Sequence, residues 1–155
     1  MKLPGNRDKK IIDGTHRIVF YLLPLLGLAF LLWYIKNAAC DVVYSDYIRL
    51  VNSYLPDVFN PEKFFVADVL TRIPINYLSR IINVKFFGFS ITFDRVLGAV
   101  SVSLAAWCFA AYSRQLKINI KWFITFMIVM FSLNKWEMLT NGSGWAHFLA
   151  FACFY

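Results

Sequence analysis

Charge is sparse in this chain, and what there is leans one way. Asp, Glu, Lys and Arg make up 16% of the 155 residues, against about 25% in a typical soluble domain. Hydrophobic residues take 59%, above the roughly 45–50% usual for soluble proteins. The deficit of charge is not spread evenly. Ile18 to Ile35 holds no charged residue, over a length that can cross a bilayer. This excludes an ordinary soluble domain and points to an all-α, polytopic transmembrane protein. Cysteine is scarce too. Cys40, Cys108 and Cys153 have no close spacing, which excludes a disulfide framework and a zinc motif and leaves them as small apolar residues. Also missing are a Gly-rich phosphate loop, a GxSxG elbow, an HExxH motif and a CxxC pair, and their absence weighs against a soluble enzyme.

What is there begins with cations. Sixteen Lys and Arg against nine Asp and Glu give a formal net charge of +7. On a soluble face such an excess would mean nucleic acid. Here the cations flank apolar blocks, so they set topology instead. The expected partner is the lipid bilayer, and no nucleic acid is expected.

Residues 1–17 form a basic N-terminus, with Lys2, Arg7, Lys9, Lys10 and Arg17 against Asp8 and Asp13. Such a cluster before a span marks the cytoplasmic side, and the cell membrane is the expected home. His16 reads as a solvated side chain among these charges. Residues 18–35 are the first transmembrane helix. It holds Pro24 and Gly27, which membrane helices tolerate, and ends in the aromatic belt of Trp33 and Tyr34. A cleaved signal is the rival. The apolar run exceeds the usual 7–15-residue core of a signal, and Asn37 stands where a lipoprotein signal ending at Cys40 wants an apolar residue.

Residues 36–95 form the first outer loop. Tyr44, Tyr47, Ile48, Val51, Tyr54 and Leu55 recur at helical spacing. Asn60-Pro61 reads as an N-cap with proline at the first helical position, opening a helix with Phe64, Phe65, Val69 and Leu70. After Pro74, Ile75, Leu78, Ile81 and Ile82 make another apolar stripe. None of these pieces is long or apolar enough to span, so they lie in the interface plane with the apolar face down. A small soluble helical subdomain is the alternative. Phe86-Phe87-Gly88-Phe89 reads as a greasy turn. Residues 96–112 are the second span, 113–121 a basic cytoplasmic loop and 122–135 the third span, which is short unless its flanks extend it. Residues 136–143 are the second outer loop, and 144–155 begin a fourth span. That last apolar run is too short to cross, so the chain reads as the N-terminal part of a longer protein. Asn141-Gly142-Ser143 matches a glycosylation sequon, but it abuts the bilayer and reads as a turn.

The outer segments hold the carboxylates. One beside a membrane surface can act as a general base or help hold a divalent metal ion, and the sequence does not choose between them. Asp57, Glu62 and Asp68 read as solvated or helix-terminal charges. Asp94 either pairs with a loop arginine or caps the second span. Asp41 and Asp46 differ because both follow directly on the first span. Five residues turn a helix by about 500°, so they share a face only loosely if both are helical; either is a candidate catalytic residue, and both together are not expected. Glu137 stands beside Trp136 near a span end. His147 reads as interfacial or packed.

The order of parts resembles the GT-C membrane glycosyltransferases. A basic N-terminus and one span lead into an outer loop of interfacial helices with an early acidic residue. SDYIRLVNSYL is similar to the acidic-then-aromatic opening of that loop, which puts Asp46 in the catalytic place with Asp41 in reserve. FDRVLGAVSVSLAAWCFAAYSR resembles the segment where an arginine, here Arg95, leads into the second span. NKWEMLTNG places Glu137 where some members carry a second acidic motif. Two departures stand out: Asp46 lacks an adjacent acid, and the chain carries fewer spans than the family. The resemblance implies an inverting transferase with a polyprenyl-phosphate-linked sugar donor. Asp46 is then the general base and Arg95 offsets phosphate charge. The alternative is a non-catalytic membrane protein, an assembly, flippase or transporter component. A transporter should carry ionisable residues mid-span, and the first two spans have none.

Overall fold

A computed structural model of the chain describes residues 6–38, 47–48, 51–52, 55–62 and 74–154, with side chains at all of these but 6–16, 56 and 74. The well-defined helices are α1 (Asn6–Ala38), α2 (Pro74–Phe87), α3 (Ile91–Gln115), α4 (Ile120–Met130), α5 (Trp136–Asn141) and α6 (Trp145–Cys153). Residues 47–48 and 51–52 are helical as well, and there is no strand among the described residues.

The hub is α3, which packs on α1 and α6 and touches α2, α4 and α5. Its buried face is built of small side chains: Gly98, Ala99, Ser101, Ser103, Ala105, Ala106 and Ala110. Small residues let neighbouring helices approach closely, the usual way that helices pack where lipid replaces water. Ser101 and Ser103 donate to the carbonyls of Leu97 and Ala99 at 2.8 and 2.9 Å, so neither hydroxyl is left bare in the seam. Large residues come from the partners: Phe20, Leu31 and Ile35 of α1, Phe123 and Met127 of α4, Leu139 of α5 and Phe148 of α6. Phe20 stacks on Phe123 with centroids 4.0 Å apart. The ring of Phe131 lies where a side chain at Gly27 would stand, so any larger residue there has to displace that ring.

The outward faces are the more apolar ones. Tyr21, Leu22, Leu25 and Leu26 of α1, Val96, Val100 and Leu104 of α3, and Trp122, Ile128 and Val129 of α4 are all exposed. Soluble monomers rarely show apolar patches of more than a few hundred Å². Two helices are long and apolar enough to cross a membrane. Arg17–Ala38 has 22 residues with mean hydropathy 2.3, and α3 has 25 with 1.6. At 1.5 Å per residue these measure about 33 and 38 Å, enough for a core of about 30 Å.

Helix limits differ from those read in the sequence. The first helix starts at Asn6, inside the basic N-terminus, and the second reaches from Ile91 to Gln115 rather than over 96–112. The segment 122–135 is not one helix. Asn119 caps α4 by accepting from the Lys121 amide at 3.0 Å, and the helix stops at Met130. Lys135 folds back and donates its ammonium to the Met130 carbonyl, satisfying an acceptor that a continuing helix would have used. With 11 residues, α4 is about 16 Å long, half the thickness of a bilayer core.

Candidate functional site

The polar centre of the molecule forms where α2 meets the start of α3. Helix α2 carries Asn76, Arg80 and Asn83 at i, i+4 and i+7, which line one face. That face is buried, together with Ser79. Ile75, Leu78, Ile82 and Phe86 point away from the protein. The apolar stripe read at 75–82 therefore faces outward, and the polar stripe opposite it faces the helices.

A tight turn then brings α3 alongside. Gly88 and Phe89 both take positive φ, 59° and 63°. Asn83 clamps the turn, accepting from the Ser90 amide at 2.8 Å and donating to the Ser90 carbonyl at 3.0 Å. The first turn of α3 thus sets Asp94 against Arg80.

Asp94 is fully buried. Its Oδ2 accepts from Arg80 Nη1 at 2.6 Å, from Asn83 Nδ2 at 3.2 Å and from the Tyr47 hydroxyl. Arg80 Nη1 also lies 2.8 Å from the Tyr47 hydroxyl, and its guanidinium sits 4.8 Å from the Tyr47 ring centroid. Burial pushes the Tyr47 pKa well above its ordinary value; Arg80 opposes the rise and Asp94 adds to it. Tyr47 is therefore a neutral donor that bridges the ion pair. The turn after α5 closes the other side. Gly142 has φ +77°, and a Cβ there would come 3.1 Å from Asp94 Cβ and 3.5 Å from Tyr47 Cε2. Asp94 Oδ1 and Arg80 Nε have no hydrogen-bond partner among the described residues. The pair thus retains one acceptor and one donor for a polar guest or a water.

Asp41 and Asp46 lie outside the described residues, as does Asp68. The residue that follows Asp46 is Tyr47, the buried bridge. Arg95 neighbours Asp94 in sequence but turns elsewhere. It is buried and donates from Nε to the Thr140 carbonyl at 2.5 Å, at the end of α5. Glu137 is exposed on the first turn of α5. Asp57, Glu62 and His147 are exposed. Of the two alternatives read for Asp94, pairing with a loop arginine is the one observed. Sequence reasoning missed Arg80, Asn83 and the polar role of Tyr47. The available signal was the polar spacing of 76, 80 and 83 on the back of an apolar stripe. Among the described residues no three His, Cys, Asp or Glu side chains are grouped to hold a metal ion. No protein-family model, curated protein or solved structure matches this chain.

Proposed function

We propose that this chain is an integral protein of the cell membrane, crossing it more than once with its N-terminus cytoplasmic. We further propose that it works as a glycosyltransferase of the GT-C type. The observation that carries this reading is the anchoring of Tyr47. The segment that follows the first membrane-length helix bears Asp46, and its next residue is locked to Asp94 at the head of the second and to Arg80 on α2. A catalytic carboxylate needs such support to hold its geometry. In this reading Asp46 takes the proton of the acceptor hydroxyl. The acceptor oxygen bonds to the anomeric carbon of the sugar. The bond from that carbon to the polyprenyl phosphate breaks, and the phosphate leaves with the electron pair. Arg95, bonded to Thr140, positions the second outer segment. Glu137 is the acidic group there that an acceptor can reach.

One observation favours the non-catalytic alternative. Arg80 and Arg95 are both buried and engaged within the protein, as expected of residues that hold a subunit together. A transporter is disfavoured, because Asp94 lies in the first turn of α3 and not at its middle. The test is sugar transfer from a polyprenyl-phosphate-linked donor in vesicles carrying the protein. Asp46→Asn should lower the rate by about 10²–10⁴-fold, as general-base loss does. Asp57→Asn should leave it unchanged. A loss with Asp41→Asn alone would move the base to Asp41. Unchanged transfer in both variants would end the carboxylate mechanism.

A further inference from the structure

The opposite end of the bundle carries a different chemistry. There the last turn of α3, the link to α4 and the start of α1's apolar run enclose a cavity of about 530 Å³, within the usual range for small-molecule sites. Arg17, Arg114 and Lys117 line it, and among the described residues none that lines it is acidic. The last carbonyls of α3 already have main-chain donors. Those of Tyr112, Ser113 and Arg114 accept from the amides of Leu116, Ile118 and Lys117 at 3.0–3.2 Å. Helix α4 opens on the same wall at Ile120, and the N-terminus of an 11-residue helix adds partial positive charge.

Ser113 supplies the second, independent sign. It is fully buried, lines the cavity, and its Oγ has no partner among the described residues. Ser101 and Ser103 on the same helix bond back to carbonyls four residues earlier; Ser113 does not. A buried hydroxyl without a partner is costly, unless a ligand supplies the acceptor.

An apolar groove of about 380 Å³ adjoins this cavity and shares Arg17 with it. Its other walls are Ile18, Tyr21, Leu22 and Leu25. Tyr21 joins the two spaces: its hydroxyl accepts from Arg114 Nη1, and its ring lies 5.2 Å from the guanidinium. A cationic cup that opens onto an apolar groove on a membrane-length helix fits a molecule with an anionic head and a hydrocarbon tail. We propose that this end binds one anionic phospholipid. Arg17, Arg114, Lys117 and Ser113 hold its phosphate, and an acyl chain lies along Ile18 to Leu25. The inference rests on the membrane reading and not on transferase activity.

Phosphatidylglycerol, titrated into the protein in neutral detergent and counted by native mass spectrometry, tests this. One molecule should bind in preference to phosphatidylcholine. Arg114→Gln and Lys117→Gln should each weaken phosphatidylglycerol binding about fivefold, the share of one cation near an anionic surface. Ser113→Ala should weaken it too, and Lys85→Gln, on α2, should not. Lys117 is exposed, so its substitution decides the matter even if Arg114→Gln impairs folding. Equal binding of the two lipids, or wild-type binding by Lys117→Gln and Ser113→Ala, overturns the proposal. Displacement of the lipid by millimolar inorganic phosphate would mark a site for free phosphate and overturns it as well. Failure of the membrane reading would look different, as a protein that stays monodisperse without detergent.

Discussion

At the residue scale, the buried pair of Asp94 and Arg80 is the main charged commitment of the fold. Taking both charges out of water costs several kcal/mol per ion, so such a pair gives little net stability over apolar residues of similar size. Breaking it is another matter. Arg80→Met leaves Asp94 buried without a cation, and the expected loss is about 3–5 kcal/mol. For a chain of this length that lowers the unfolding midpoint by roughly 6–20 °C. Adding Asp94→Leu should recover most of the loss. Thermal unfolding of the three proteins in one detergent measures both. A single Arg80→Met variant that melts with the wild type would show that the pair does not clamp α2 to α3. The sequence announced half of this site. An aspartate at the head of a span asks for a cation, and pairing with a loop arginine was one of two legible answers. Tyr47 was legible only as an apolar face, because a tyrosine hides its donor at the far end of a hydrophobic ring.

At the scale of elements, α2 shows what periodicity reveals and what it leaves open. The stripe of Ile75, Leu78, Ile81 and Ile82 is plain from spacing. Spacing defines an axis but does not say which side meets protein. In water the apolar side would turn inward. Here Asn76, Ser79, Arg80 and Asn83 turn inward, Ile75, Leu78 and Ile82 turn out, and Ile81 lies half-buried between them. This pattern is stable only if the outer face meets something apolar, and the interface of a bilayer is the nearest such medium. Spin labels at Ile82 and Phe86 should therefore relax with dissolved oxygen and little with a water-soluble nickel chelate. Labels at Ser79 and Asn83 should be shielded from both. Strong nickel relaxation at Ile82 and Phe86 would remove α2 from the interface. The break after α4 was harder to foresee. Met130 to Lys135 is apolar enough to continue a helix, and the stop comes from Lys135 reaching back to a main-chain carbonyl. That contact is set by tertiary geometry.

At the scale of the molecule, the two membrane-length helices run in opposite directions. Tyr21 near the start of the apolar run of α1 meets Arg114 near the end of α3. Arg17, Arg114 and Lys117 thus gather at one end of the bundle, while Asp94 and Arg80 close the other. In the proposed topology, basic residues gathered at the ends of short segments stay on the cytoplasmic side, which would put the Arg17 end in the cytoplasm and the Asp94 site outside. The arrangement makes a prediction about sidedness. With Cys40, Cys108 and Cys153 replaced, Asp57→Cys should react with an impermeant thiol reagent added outside intact cells. Gln115→Cys, at the end of α3, should react only after the membrane is opened. The converse pattern would turn the molecule over and place the anionic-lipid cup on the outer face. Reaction of both from outside would mean that α3 does not cross, and its small-residue seam would then have to be explained by a partner in place of lipid.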